Sequence, residues 1–295
     1  MKTHGLIAAP PTAFHTDGSI DLAAVAPLAQ HLQRQGVAGV FVNGTTGEGM
    51  SLTTEERETL AVEWRRVLPA GMTLFIHAGH NCLGEAQRLT RHAQAIGADA
   101  VAVIAPSFFK PSGVAGVVDW CAAIAAEVPA LPIYFYHMPS MTNVSLSIAD
   151  FLTCAGPRIP NLAGIKFTFE AMGDFLQALQ LDGGRFDMLW GRDEMLLGAL
   201  AMGARGGVGS TFNVIAPLYL DLICAFDAGD FPRARELQLH AVRFINSLAG
   251  TGNFFAALKY VLQAQGVPIA PTVRAPLAPL TDAQFAQIIL PSDLV

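Results

Sequence analysis

Residues 37–78, VAGVFVNGTTGEGMSLTTEERETLAVEWRRVLPAGMTLFIHA, contain one complete strand–helix–strand unit. The run 37–42 is short, β-rich and apolar throughout, as a strand buried on both faces should be. A glycine-rich loop follows at 44–49. Thr53-Thr54-Glu55-Glu56 then forms a capping box ahead of the amphipathic run 57–68, and Pro69 stops the helix before a second β-rich run at 73–78.

The same grammar repeats along the chain. Further β-rich runs lie at 5–9, 98–104, 132–136, 163–167, 186–190 and 206–209, with helical patterns between them, several stopped by glycine just before the next strand. Eight strands alternating with helices predict an α/β protein with a parallel (β/α)8 TIM barrel. After the eighth run the chain continues with helical patterns at 218–228, 232–248, 253–265 and 281–289 and a proline-rich connector at 268–279. The expected organisation is a barrel over 1–225 and a helical extension over 226–295.

Hydrophobic residues make up 52% of the 295 residues and charged residues 14%, ample for a large core. The net charge of -6 comes without a basic run, which argues against nucleic acid as a partner. The longest stretch free of charged side chains, 128–149, is broken by Pro129, Pro132 and Pro139, so no membrane span is expected. Residues 1–14 carry no apolar signal segment, and a cytoplasmic location is expected. The cysteines, Cys82, Cys121, Cys154 and Cys224, form no C-x-x-C and read as reduced core thiols; the histidines show no metal-ligand spacing, and no metal is expected.

In a barrel of this kind the reactive groups lie at the C-terminal ends of strands. That rule selects Gly44-Thr45-Thr46-Gly47-Glu48-Gly49, Tyr136-His137-Met138-Pro139, Lys166-Phe167-Thr168, Gly191-Arg192-Asp193-Glu194 and Gly209-Ser210-Thr211. Lys166 is one of only four lysines and stands between Ile165 and Phe167. Burial there disfavours the ammonium and frees a neutral amine that can form an imine with a ketone. A half-exposed strand-end lysine is the plain alternative. The loop 44–49 offers amides and hydroxyls suited to a carboxylate, or is simply a turn. Tyr136 could carry protons beside such an amine, or be a rim tyrosine bonded for structure. Asp193 and Glu194 also suit the start of a helix. Lys259 competes as a reactive amine, but its helical spacing favours a structural role.

Gly44-Thr45-Thr46-Gly47-Glu48, Tyr136-His137-Met138-Pro139 and Gly164-Ile165-Lys166-Phe167-Thr168 together resemble the three signatures of the dihydrodipicolinate synthase / N-acetylneuraminate lyase family, in order and spacing over essentially the whole chain. The segments 190–194 and 207–213 look most like the lyase branch, particularly its animal type. Synthases of the family generally carry an arginine two residues beyond the proline of the tyrosine motif, where this chain has Met141.

The resemblance implies a class I aldolase that cleaves N-acetylneuraminate reversibly to N-acetylmannosamine and pyruvate without a cofactor. Lys166 would form the imine, Tyr136 would move the proton with help from Thr46, and Thr45 and Thr46 would hold the pyruvate carboxylate. Thr168, Gly191, Asp193, Glu194, Gly209 and Ser210 would meet the sugar. A pyruvate-type aldolase or dehydratase acting on a 2-keto-3-deoxy sugar acid shares this machinery and is the rival, with dihydrodipicolinate synthase behind it. A binding paralogue without turnover is a further alternative. A homotetramer is also implied. Many relatives insert a tyrosine from a neighbouring subunit after strand four; here that segment reads Ser107-Phe108-Phe109-Lys110.

Overall fold

The computed structural model describes residues 2–291. Eight strands, β1 (Gly5–Ala8), β2 (Gly39–Val42), β3 (Thr73–His77), β4 (Ala100–Ile104), β5 (Ile133–His137), β6 (Leu162–Phe167), β7 (Asp187–Trp190) and β8 (Gly206–Gly209), close in chain order into one parallel barrel. β1 pairs with both β2 and β8, which completes the ring. The strands fall on the eight expected runs. The helices between and after them are α1 (Val25–Arg34), α2 (Thr54–Val67), α3 (Leu83–Ala95), α4 (Gly113–Ala125), α5 (Pro139–Thr142), α6 (Ile148–Ala155), α7 (Met172–Gln180), α8 (Leu196–Met202), α9 (Ala216–Asp227), α10 (Phe231–Gly250), α11 (Phe254–Ala264) and α12 (Asp282–Phe285).

Alternation along each strand divides the core in two. Ile7, Phe41, Phe75, Ala102, Tyr134, Tyr136, Leu189 and Val208 fill the barrel, while Val40, Val42, Ile76, Ile165 and Phe167 face the helices. The capping box at Thr53 forms as the sequence predicts, with Glu56 N–H donating to Thr53 Oγ1 at 3.2 Å and Thr53 N–H to Glu56 Oε2 at 2.9 Å. At the barrel's N-terminal end Tyr134 O–H and Thr3 N–H both donate to Asp187 Oδ2, at 2.8 and 3.0 Å, and so satisfy a buried carboxylate.

In the C-terminal part, α10 buries Leu237, Ala241, Phe244 and Leu248, an apolar stripe at three- and four-residue spacing that packs on α9 and α11. Full burial of each larger side chain contributes roughly 1.5–3 kcal/mol. The expected division at 225/226 falls inside α9; Met1 and residues 292–295 of those ranges lie outside the described residues.

Two expectations need correction. The helix expected over 281–289 is a single turn, α12: beyond it the amides of Gln287 and Ile288 bond only three residues back, to Gln284 O and Phe285 O at 3.2 and 3.1 Å, and Ile289 N–H donates to the Ser247 hydroxyl at 3.3 Å. Cys82, Cys154 and Cys224 are exposed, and only Cys121 is a core thiol. The apolar neighbours of Cys154 and Cys224 belong to the inner faces of α6 and α9, whereas the thiols stand on the outer faces.

Candidate active site

Lys166 lies one residue before the end of β6 and points into the barrel, because Ile165 and Phe167 on either side point out to the helices. It is 4% exposed. Its Nζ sits 4.0 Å from the Phe41 ring centroid and 4.1 Å from that of Tyr136, its neighbour in register on β5. Burial brings the amine down from its ordinary 10.5 to about 7, against a smaller upward pull from Asp193. Neutral amine is therefore present near pH 7.

Above Lys166 opens a cavity of about 290 Å³ lined by Thr45, Thr46, Tyr136, Lys166, Thr168, Gly191, Asp193, Glu194 and Ser210 among others. Nine of the ten residues singled out from the sequence line it directly. The tenth, Gly209, lies behind Asp193: a Cβ there would fall 2.4 Å from Asp193 Oδ1, so only glycine leaves the carboxylate its place.

The Tyr136 hydroxyl lies 3.3 Å from Thr45 Oγ1 and donates to the Met138 thioether at 2.8 Å. Burial raises the phenol to about 12, with the Thr45 bond drawing it part of the way back, so it stays protonated at neutral pH. Thr46 is turned the other way. Its Oγ1 is 2.7 Å from Ser210 Oγ, which joins the β2 loop to the end of β8. The structure thus brings Thr45, rather than Thr46, against Tyr136.

Asp193 Oδ2 accepts from Thr211 N–H at 2.8 Å and from Thr211 Oγ1 at 2.6 Å, and Tyr219 O–H lies 2.8 Å from the same threonine hydroxyl. Burial pushes the Asp193 carboxyl up to about 6, while the Thr211 bonds hold it down. Thr168 Oγ1 is buried without a partner, and Gly191 packs so close that a Cβ would lie 2.0 Å from it. A hydroxyl in that condition is a ready contact for a ligand. Glu194 stands at the rim, 3.3 Å from Arg192.

Lys259 is a structural amine. Its Nζ lies 2.6 Å from Glu48 Oε1 and also donates to Thr272 O at 2.6 Å, while Arg274 N–H donates to Glu48 Oε2 at 2.9 Å. Glu48 has a left-handed backbone, φ 52°, at the end of the 44–48 turn. The clamp ties the Thr45–Thr46 loop to α11 and to the proline-rich connector. Sequence reasoning missed this pairing, the Thr211 support of Asp193, and the cavity lining by Ile245, Phe254 and Phe255 from α10 and α11. A usable sign was present for the last: Asn253 caps α11 and leaves Phe254-Phe255 in its first turn.

The Dihydrodipicolinate synthetase family model matches residues 2–289. Among curated proteins, the chain is 38% identical over 279 residues to N-acetylneuraminate lyase A of Xenopus laevis, covering 94% of this chain and 91% of that one. Among solved structures, the N-acetylneuraminate lyase of Proteus mirabilis superposes with a TM-score of 0.93 at 40% identity, over 97% of this chain and 96% of that one. A dihydrodipicolinate synthase of Bacillus anthracis superposes with a TM-score of 0.91 at 30% identity, over 100% and 98%.

Proposed function

The chain belongs to the dihydrodipicolinate synthetase family, and from that premise we propose that it is a carbon–carbon lyase, an aldolase that cleaves N-acetylneuraminate reversibly to N-acetylmannosamine and pyruvate. The observation that carries the mechanism is a buried amine, brought down to about 7, in a cavity lined by hydroxyls and carboxylates.

Lys166 attacks the ketone carbon of the open-chain acid, and loss of water leaves a protonated imine that draws electrons as the C3–C4 bond breaks. Thr45 and Thr46 hold the carboxylate. Asp193, Glu194, Thr168 and Ser210 meet the hydroxyls of the sugar, and Gly191 and Gly209 keep the wall thin enough for them to do so. Tyr136, protonated at neutral pH, takes the C4 hydroxyl proton as it gives its own to Thr45 Oγ1, and Thr45 in turn releases its hydroxyl proton to the substrate carboxylate it holds. The same proton inventory returns to C3 of the enamine, so cleavage needs no external acid, and water then hydrolyses the imine to release pyruvate. Met141 lines the cavity at the position where synthases of the family carry an arginine, so that position offers no cation to the second carboxylate of a synthase substrate.

The finer points of the proposal are a catalytic barrel over 1–225 with a helical extension over 226–295, a homotetramer, and a cytoplasmic location. Phe108 and Phe109, 75% and 84% exposed on the loop after β4, support burial of that loop against another subunit. Among the described residues no helix is long and apolar enough to cross a membrane.

The test is pyruvate release from N-acetylneuraminate in a coupled assay, run beside 2-keto-3-deoxygluconate. Release from the first supports the reading. Activity on the second alone replaces the substrate, and no release from either overturns the aldolase.

A further inference from the structure

Arg192 is a charged residue of the cavity wall that the reaction above leaves unused. It stands two residues beyond the end of β7, and its backbone carbonyl accepts the indole N–H of buried Trp190 at 2.6 Å. That bond fixes the loop from which the guanidinium reaches two carboxylates. Glu194, in the same loop, lies 3.3 Å away, and Glu170, in the loop after β6, is in direct contact. The remaining nitrogen, Nε, is buried and has no partner.

The register places this group along the barrel. Lys166 pairs with Leu189, so Arg192 is three residues nearer the mouth, on the order of 10 Å at the rise of a strand. A substrate held by its carboxylate at Thr45 and Thr46 and by its ketone carbon at Lys166 meets this level with the part farthest from the carboxylate.

We propose that Arg192 is a substrate-positioning residue for the distal half of the sugar acid: it bridges Glu170 and Glu194 into one wall and donates to an oxygen of the substrate's polyol or acyl group. The inference rests on the function proposed above. A guanidinium presents five donors in a rigid fork, and two carboxylates leave part of that fork free for a ligand oxygen. Without the cation, Glu170 and Glu194 would stand uncompensated in adjoining loops, and each would lose the contact that holds it in the wall. A lysine keeps the charge but not the fork, so it restores the wall only in part.

The experiment compares the wild-type chain with Arg192→Met, Arg192→Lys and Glu170→Gln. Two rates are measured: cleavage of N-acetylneuraminate, and exchange of the C3 protons of pyruvate with deuterium followed by NMR. Exchange uses Lys166 and the proton-moving hydroxyls but no sugar contact. Arg192→Met is expected to lower kcat/KM for cleavage by ~10–100-fold, chiefly through KM, with a smaller loss in Arg192→Lys and Glu170→Gln and exchange within about twofold of wild type. Cleavage unchanged in Arg192→Met, or cleavage and exchange falling together, would overturn the inference. A wild-type chain that exchanges pyruvate protons but does not cleave the acid fails the function reading itself, and this inference with it; a wild type that cleaves beside an equally active Arg192→Met fails this inference alone.

Discussion

Replacing Lys166 by methionine should abolish catalysis and stabilise the fold, because the amine is kept inside at the expense of stability. Its descent from 10.5 to about 7 corresponds to roughly 5 kcal/mol of preference against the charged form at about 1.36 kcal/mol per pH unit. Methionine refills the place beside the Phe41 and Tyr136 rings, whose centroids lie 4.0 and 4.1 Å from Nζ, at a cost of up to roughly 1.5 kcal/mol. The net gain from the substitution at low pH is therefore roughly 3–4 kcal/mol. Its pH dependence follows from linkage. Below pH 7 the folded and unfolded amines are both protonated, and the whole penalty weighs on the native state. Between about 7 and 10.5 the unfolded chain binds a proton that the native state has released, so stability rises with pH. Above 10.5 both forms are neutral and the penalty is gone. Methionine has a similar stem and no charge, so Lys166→Met should raise Tm by roughly 6–8 °C at pH 6, at about 2 °C per kcal/mol for a chain of this size. At pH 9 the gain should shrink by more than half. Thermal unfolding of both proteins at the two pH values reads it. A Tm at pH 6 equal to or below wild type, or a gain that does not shrink at pH 9, would refute the argument that Lys166 is held against desolvation.

Lys259→Met should strand the Glu48 carboxylate, whose side chain is 1% exposed, at a cost of roughly 3–5 kcal/mol, and Lys259→Met/Glu48→Gln should recover most of the loss; equal melting temperatures for the single and double variants would contradict the clamp. The pH profile of kcat/KM should fall on the acid side through about 7, where Lys166 takes up its proton. In Asp193→Asn, loss of the charge that raises Lys166 should move this limb to lower pH while the rate drops; a limb that stays in place or moves up argues against the coupling. Gly209→Ala should place a methyl against Asp193, which Thr211 keeps from retreating. We expect KM for N-acetylneuraminate to rise by ~10-fold or more, with pyruvate proton exchange near wild type; an unchanged KM would mean that Asp193 does not touch the sugar.

The parts of the molecule legible in sequence are those encoded by short periods. Apolar runs bounded by glycine marked the strands, Thr53 and Glu56 marked the start of α2, and the position of Lys166 between Ile165 and Phe167 set it on the opposite face of β6 from both, with a half-exposed strand end left as the alternative. Pairings between distant residues left no such trace. Glu48 and Lys259 are 211 positions apart, and nothing near either one announces the other. Arg192 and Glu170 meet only because β6 and β7 are neighbours in the barrel. Thr45 and Thr46 are adjacent in a tight turn and face different partners, Tyr136 and Ser210, a choice set by backbone angles that residue types do not reveal. The last helix is shorter for a related reason: its own pattern continues to 289, but after one turn the chain tightens to bonds three residues back and Ile289 N–H goes to a side chain of α10.

The central claim is that Lys166 is the imine-forming amine, and the most direct measurement is reductive trapping. The chain is incubated with pyruvate and borohydride, digested, and its peptides weighed, with Lys166→Met alongside. The account predicts a pyruvate adduct on the peptide that contains Lys166 and none in the variant. An adduct on Lys259, or a wild-type chain that takes up no pyruvate under reduction, would contradict it.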